Sequence, residues 1–266
     1  MPFTPSHAVV ALPFIRTPLP TAALAIGAMA PDLPLFVPAF PEPYEMTHSF
    51  AWLPVTVVVA LGLLLVWRCV LRPAMRELAP DWLAARLPQE WDAGAGEGLR
   101  GVFARRDGFR SSVGGAVLVL ATLAIGVASH IAWDAFTHEG RWGMTALDLA
   151  VMWGALPAYK WLQYGSSVMG LVVIGLWAVL WLRRRRPAPL SRVLPDGARW
   201  TWWLALPTLL AAAWLIGLAV WGPFTADYTP HHLAYRVLPV ASAVWVGLGI
   251  LLALAVPVAR SRARAS

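Results

Sequence analysis

The sequence predicts an all-α fold: a polytopic membrane helix bundle of about five transmembrane helices plus a short N-terminal re-entrant or interfacial helical hairpin. Three observations predict it. Of 266 residues, 59% are hydrophobic and only 13% charged, a balance far from that of ordinary soluble domains. Five apolar runs approach or exceed the roughly 18 to 20 residues that span a bilayer. Sixteen tryptophans suit interfacial anchoring.

Taken in chain order, residues 8–31 are apolar but interrupted by Pro13, Arg16, Pro18 and Pro20. The interruptions leave two pieces too short to span, hence the hairpin. MPFTPSHAVV carries no Lys or Arg, so it does not read as a secretory signal peptide. The expected crossings are 51–71, 113–133, 166–182, 200–221 and 237–258. Residues 72–112 read as a connecting loop whose Gly-rich DAGAGEGLRG lacks a phosphate-loop ending. The expected division is a membrane domain, 1–182, carrying the site, and a second part, 183–266, with a basic linker, two further helices and a basic tail. The single cysteine, Cys69, excludes an internal disulfide and a Cys-rich zinc site.

Orientation follows from Lys and Arg, which resist translocation. Seven arginines fall in 72–112, six in 183–199 and three in the tail at Arg260, Arg262 and Arg264. These segments are expected in the cytoplasm, the C-terminus with them, in a multi-pass protein of the bacterial inner membrane. The net charge of +7 is then a topology signal plus attraction to anionic lipid, with no nucleic-acid partner expected. All six histidines fall on the opposite face: His7, His48, His130, His138, His231 and His232.

SHIAWDAFTHEG, residues 129–140, ends the second crossing. Spacing of four places His130, Asp134 and His138 on one helical stripe. Ionisable groups at membrane depth are costly and mark sites. Imidazole and carboxylate without thiolate suit Zn²⁺, with Mn²⁺ or Fe as alternatives. His7, Asp32 and His48 are expected on the same face and complete a candidate ligand set of six. Six exceed the three or four that one zinc needs, so either two ions share the site or some members act behind the ligands. Glu139 and Asp134 are the candidate catalytic groups, Glu139 as a base. In AYKWLQYGSS, residues 158–167, Lys160, Gln163 and Ser166 are candidates for contact with a substrate headgroup. His231 and His232 read as an interfacial loop doublet.

The set MPFTPSHA, GAMAPDLP, MTHS, SHIAWDAFTHEG and LPAYKWLQYGSS resembles the bacterial membrane proteins grouped as domain of unknown function 4184. It is distantly similar to the membrane-bound metal-dependent hydrolases, whose pattern joins a PD pair, a THS triplet and an SHxxxDxxTxxG segment. Here these fall at Pro31 and Asp32, Thr47 to Ser49, and Ser129 to Gly140. The resemblance implies metal-dependent hydrolysis of a phosphoester. With the site at the extracytoplasmic face, a membrane lipid or lipid-linked substrate is the expected partner. A transporter and a non-catalytic assembly protein with a structural metal are the alternatives: interrupted helices with polar groups also line transport sites, and a closed ligand shell would suit a staple.

Overall fold

The computed structural model describes residues 3–37, 43–103 and 113–265. Arg105, Arg106 and Arg110, and the side chain of Arg264, expected on the cytoplasmic side, lie outside the described residues. Among the described residues the fold is all-helical apart from one small hairpin, Met152–Trp153 paired with Leu156–Pro157. Within the described residues, five helices are long and apolar enough to cross a membrane: Phe50–Leu78, Val113–Thr137, Ala158–Arg183, Asp196–Trp221 and Pro230–Arg262. We call them the first to fifth spans.

Each span is longer than its apolar run. The first passes through a wide π turn, Trp67–Leu71, and continues as an α-helix over Arg72–Leu78. It continues because Arg72 and Pro73 open the new helix, where proline is tolerated. The expected 72–112 loop is thus partly helical, with further short helices at Asp81–Ala84, Gln89–Asp92 and Ala95–Phe103. His231 and His232 lie in the first turn of the helix Pro230–Ala265, not in a loop.

The N-terminal stretch forms the expected hairpin. A 3₁₀ helix, Thr4–Phe14, is followed by bends and then by an α-helix, Thr21–Met29, and a 3₁₀ turn, Ala30–Asp32. Pro13 sits inside the last turn of the first arm, and Pro20, in extended conformation, stands at the start of the helix that begins at Thr21.

The chain forms two compact units that interleave in sequence. The first comprises Met1–Leu33, Pro41–Val66 and Gly96–Arg185. The second comprises Pro34–Phe40, Trp67–Ala95 and Arg186–Ser266. A division at 182/183 follows chain order, whereas the spatial units bring Trp67–Ala95 together with the C-terminal segment.

In the first unit, the helix Thr21–Met29 lies against the second span with almost no gap. A Cβ added at Gly27 would stand 2.5 Å from the Leu123 carbonyl oxygen, and one at Gly126 would stand 2.5 Å from that of Leu24. Small residues permit backbones this close in membrane proteins. Leu24, Ala28, Leu123 and Val127 fill the seam and are fully buried. The 3₁₀ arm packs on the third span at Gly170, where a Cβ would meet the Ser6 carbonyl oxygen at 2.9 Å.

In the second unit, Glu77 is fully buried at the end of the first span. Its carboxylate accepts backbone N–H groups from Val193 at 3.1 Å and Leu194 at 2.9 Å. Arg199 and Arg260 stand 3.7 and 3.9 Å from it. Arg76 bonds Asp92 and donates to the Pro189 carbonyl. These bonds clamp 186–199 onto the end of the first span.

Candidate metal centre

The site lies at one end of the first unit: before the first span, at the end of the second, at the start of the third, and on the N-terminal hairpin. Four segments deliver one side chain or two each. A 3₁₀ helix repeats every three residues, so Thr4 and His7 share a face. Thr4 Oγ1 donates to Asp32 Oδ2 at 2.6 Å, and His7 Nε2 stands 3.6 Å from Asp134 Oδ1. The His7 ring stacks on His130 with centroids 3.9 Å apart. Asp32 is 1% exposed. His48 ends the short helix Tyr44–Thr47, and Thr47 Oγ1 ties that helix to the hairpin by donating to the Pro31 carbonyl at 2.7 Å.

His130 and Asp134, one helical turn apart, point inward from the second span and are 0% and 2% exposed. The helix stops soon after them, at Thr137, and Gly140 turns the chain away with φ of 74°, a left-handed conformation that glycine adopts without steric cost.

The hydrogen bonds fix the imidazole tautomers. His130 Nδ1 lies 2.7 Å from the Ala28 carbonyl oxygen, and His48 Nδ1 lies 2.8 Å from that of Tyr44. A carbonyl only accepts, so each Nδ1 carries the hydrogen and each Nε2 of the neutral rings presents a lone pair. Those two Nε2 atoms face each other at 3.0 Å. Asp134 Oδ2 stands 3.5 Å from His48 and 3.4 Å from His130, and Asp32 Oδ1 stands 3.5 and 3.7 Å from them. Five electron-rich groups therefore converge: His7, Asp32, His48, His130 and Asp134. Two overlapping trios, His7–His130–Asp134 and Asp32–His48–His130, each bring three donor atoms within 4.8 Å of one another.

Four of these buried atoms have no hydrogen-bond partner: His7 Nε2, Asp32 Oδ1 and both carboxylate oxygens of Asp134. Buried polar groups are otherwise almost always paired. Burial and the adjacent His130 push His7 down to about 4, so its ring is neutral at pH 7 and its nitrogen keeps its lone pair. Burial alone would lower His48 as well, but the flanking Asp134 and Asp32 outweigh it and raise His48.

The sixth expected ligand, His138, is in neither trio. His138 turns Nδ1 toward Asp134, 3.4 Å from Oδ2, and its other nitrogen lies 3.4 Å from the Gln163 amide. Burial pushes it down to about 4. Of the other expected residues, Glu139 is exposed and accepts the Tyr159 hydroxyl hydrogen at 3.2 Å. Lys160 Nζ donates to Gln163 Oε1 at 3.1 Å. Ser166 takes the Trp133 indole N–H at 3.2 Å and donates to the Gln163 carbonyl. His232 belongs to the second unit, where its ring accepts the Thr229 N–H at 3.1 Å.

Sequence reasoning gave no role to Thr4 or Ser167 and carried Thr47 only as part of the THS triplet. Ser167, 9% exposed, accepts the Phe3 N–H at 3.0 Å and donates to the Gln163 carbonyl at 2.8 Å, which fastens the 3₁₀ arm to the third span. The sequence signal is neighbourhood alone: Thr47 stands next to His48, Thr4 three residues before His7 and Ser167 four residues after Gln163.

A helical bundle with five candidate spans and a buried imidazole–carboxylate cluster defines a polytopic membrane protein with a candidate cation site. The chain matches the family described as Domain of unknown function (DUF4184) over residues 1–259, and it belongs to that family. No curated protein and no solved structure matches it.

Proposed function

We propose that this cluster is the divalent-metal centre, best suited to zinc, of a membrane enzyme that hydrolyses a lipid or lipid-linked phosphoester. The observation that carries the reading is the convergence of two imidazole Nε2 atoms, 3.0 Å apart and both bearing lone pairs when the rings are neutral, with carboxylate oxygens that lack hydrogen-bond partners. Such an arrangement repels itself unless a positive charge stands within it. His7, Asp32, His48, His130 and Asp134 would hold the ion, a donor set that suits zinc. Two donors sharing an ion at about 2.1 Å stand about 3 to 3.4 Å apart. The pairs here, at 3.0 to 3.7 Å, match that spacing. One ion suffices, because His130 has committed its other nitrogen to Ala28 and belongs to both trios.

A bound zinc ion supplies Lewis acidity toward a phosphoryl oxygen and acidifies bound water. The chain's own residues do the rest. Asp134 goes with the ion, which leaves Glu139, exposed and held by Tyr159, to exchange a proton with solvent. Lys160 stands with exposed Trp161 and Trp153, as an interfacial cation and aromatic belt would beside an anionic headgroup. The arginine run 183–186 closes the far end of the third span. With that run in the cytoplasm of a bacterium, the cluster faces the extracytoplasmic side of the inner membrane.

A structural staple is the second reading, favoured by the burial of all five donors, none more than 8% exposed. Metal analysis of the detergent-purified protein beside His130→Ala and Asp134→Ala, followed by a panel of lipid phosphoesters presented to metal-loaded protein in nanodiscs, separates the readings. Expected are one metal per chain in the wild type, little in either variant, and turnover of at least one substrate. Equal metal in all three proteins removes the metal centre. Metal without turnover, with Asp134→Ala both releasing it and lowering thermal stability, makes the site a staple.

A further inference from the structure

A line of hydrogen bonds leads away from the cluster, and chemistry forces its direction. The Lys160 ammonium has only donors, and its Nζ lies 3.1 Å from Gln163 Oε1. The amide oxygen is thereby fixed toward Lys160 and the NH₂ toward His138. An NH₂ only donates, and Gln163 Nε2 lies 3.4 Å from His138 Nε2. That ring nitrogen must accept, so the single hydrogen of the neutral ring sits on Nδ1. Nδ1 in turn is bonded to the Asp134 backbone carbonyl oxygen at 3.3 Å and lies 3.2 Å from Thr137 Oγ1, with Asp134 Oδ2 beside it at 3.4 Å but not hydrogen-bonded. Every hydrogen in the chain Lys160, Gln163, His138, Asp134 points inward.

We infer that Gln163 is a positioning residue of the metal centre: it holds His138 with its hydrogen on Nδ1, which anchors the ring on the Asp134 backbone carbonyl and turns the positive edge of the imidazole toward the unbonded Asp134 carboxylate, 3.4 Å away. The inference rests on the metal reading above. It assigns Gln163 and His138 to work behind the ligands, where ring orientation and ligand basicity are set, and leaves Lys160 as the outer end of the line. The seat is built to be rigid. Gln163 is 1% exposed, and its carbonyl accepts from both Ser166 and Ser167 at 3.2 and 2.8 Å. A buried amide that merely filled space would need no fixed orientation.

Gln163→Glu tests it, since glutamate has the same shape and no donor. His138 must then carry its hydrogen on Nε2 and turn a lone pair toward two oxygens of Asp134. A carboxylate near a cation would by charge alone tighten metal binding, so a weakening is diagnostic. Zinc affinity, measured in nanodiscs by competition with a chromophoric chelator, should fall about 10- to 100-fold. The visible spectrum of the Co²⁺-loaded protein should change with it. Gln163→Leu, which cannot donate in any protonation state, should lose affinity to a similar degree. Wild-type affinity and spectrum in both variants overturn the inference and leave the metal reading standing. A wild type that takes up no zinc overturns both. Affinity loss matched by an equal loss of metal-free thermal stability makes Gln163 a packing residue, which also overturns the inference.

Discussion

Both units bury acidic groups, and they treat them in opposite ways. In the second unit Glu77, though fully buried, has both oxygens bonded to backbone N–H groups of Val193 and Leu194, with Arg199 and Arg260 nearby. In the first unit both oxygens of Asp134 lack a donor, and the neighbours that face them are nitrogens of imidazoles. A charged cluster that serves the fold closes its own bonds, because an unpaired buried charge costs several kcal/mol. A cluster left open toward a common centre is shaped for something that arrives later.

The largest expected effect sharpens that contrast. Glu77→Gln puts an amide where two backbone donors and two guanidinium groups converge and should cost about 3 to 5 kcal/mol, the cost of breaking a buried ion pair. Asp134→Asn, which brings a donor into a site that has too few, should leave metal-free stability equal to or above wild type. Denaturant or thermal unfolding of both metal-free variants decides it. Equal destabilisation would erase the distinction between the two clusters.

A smaller effect concerns how the first unit holds its ligands. Gly126→Ala places a methyl group 2.5 Å from the Leu24 carbonyl and 2.8 Å from the Ala28 nitrogen. Overpacking of this kind costs about 1 to 3 kcal/mol, and here it moves the segment that carries the Ala28 carbonyl away from His130. Zinc affinity should fall together with thermal stability. Gly175→Ala, where a Cβ meets nothing, should change neither.

The smallest effect is in pH. Burial and His130 lower His7 from 6.5 to about 4, so between those values the unfolded chain binds a proton that the folded one refuses. The contribution of His7 to stability is complete above pH 6.5 and falls as pH drops toward 4. His48, raised by Asp134 and Asp32, works in the opposite sense, so a variant must isolate the effect. The loss in melting temperature between pH 7 and pH 5, measured metal-free, should be smaller in His7→Gln than in wild type. An identical loss would mean that His7 is solvated or already paired.

Much of this was legible in the sequence, because hydropathy and helical spacing are local signals. Apolar run length gave the five spans, the prolines gave the hairpin, and a spacing of four placed His130 below Asp134. The pattern could not tell how His138 differs from His130, since its second nitrogen faces the Gln163 amide, 25 residues away. The first span runs on to Leu78 through a π turn that no residue type announces. The interleaved units are a product of tertiary packing, and chain order carries no record of it. The two groups that fix the imidazoles of His130 and His48 are backbone carbonyls, of Ala28 and Tyr44, which every residue possesses.

The bond from His130 to the Ala28 carbonyl therefore has an odd genetic signature. No substitution at position 28 deletes the oxygen that holds the ring, so a saturation screen for metal retention would score small replacements there as silent. The same screen would find Gly27 and Gly126, where a Cβ would meet backbone atoms at 2.5 Å, intolerant of any side chain at all. The hereditary information for this contact is stored as an absence of atoms, one turn up the second span, rather than as the identity of the residue that makes it.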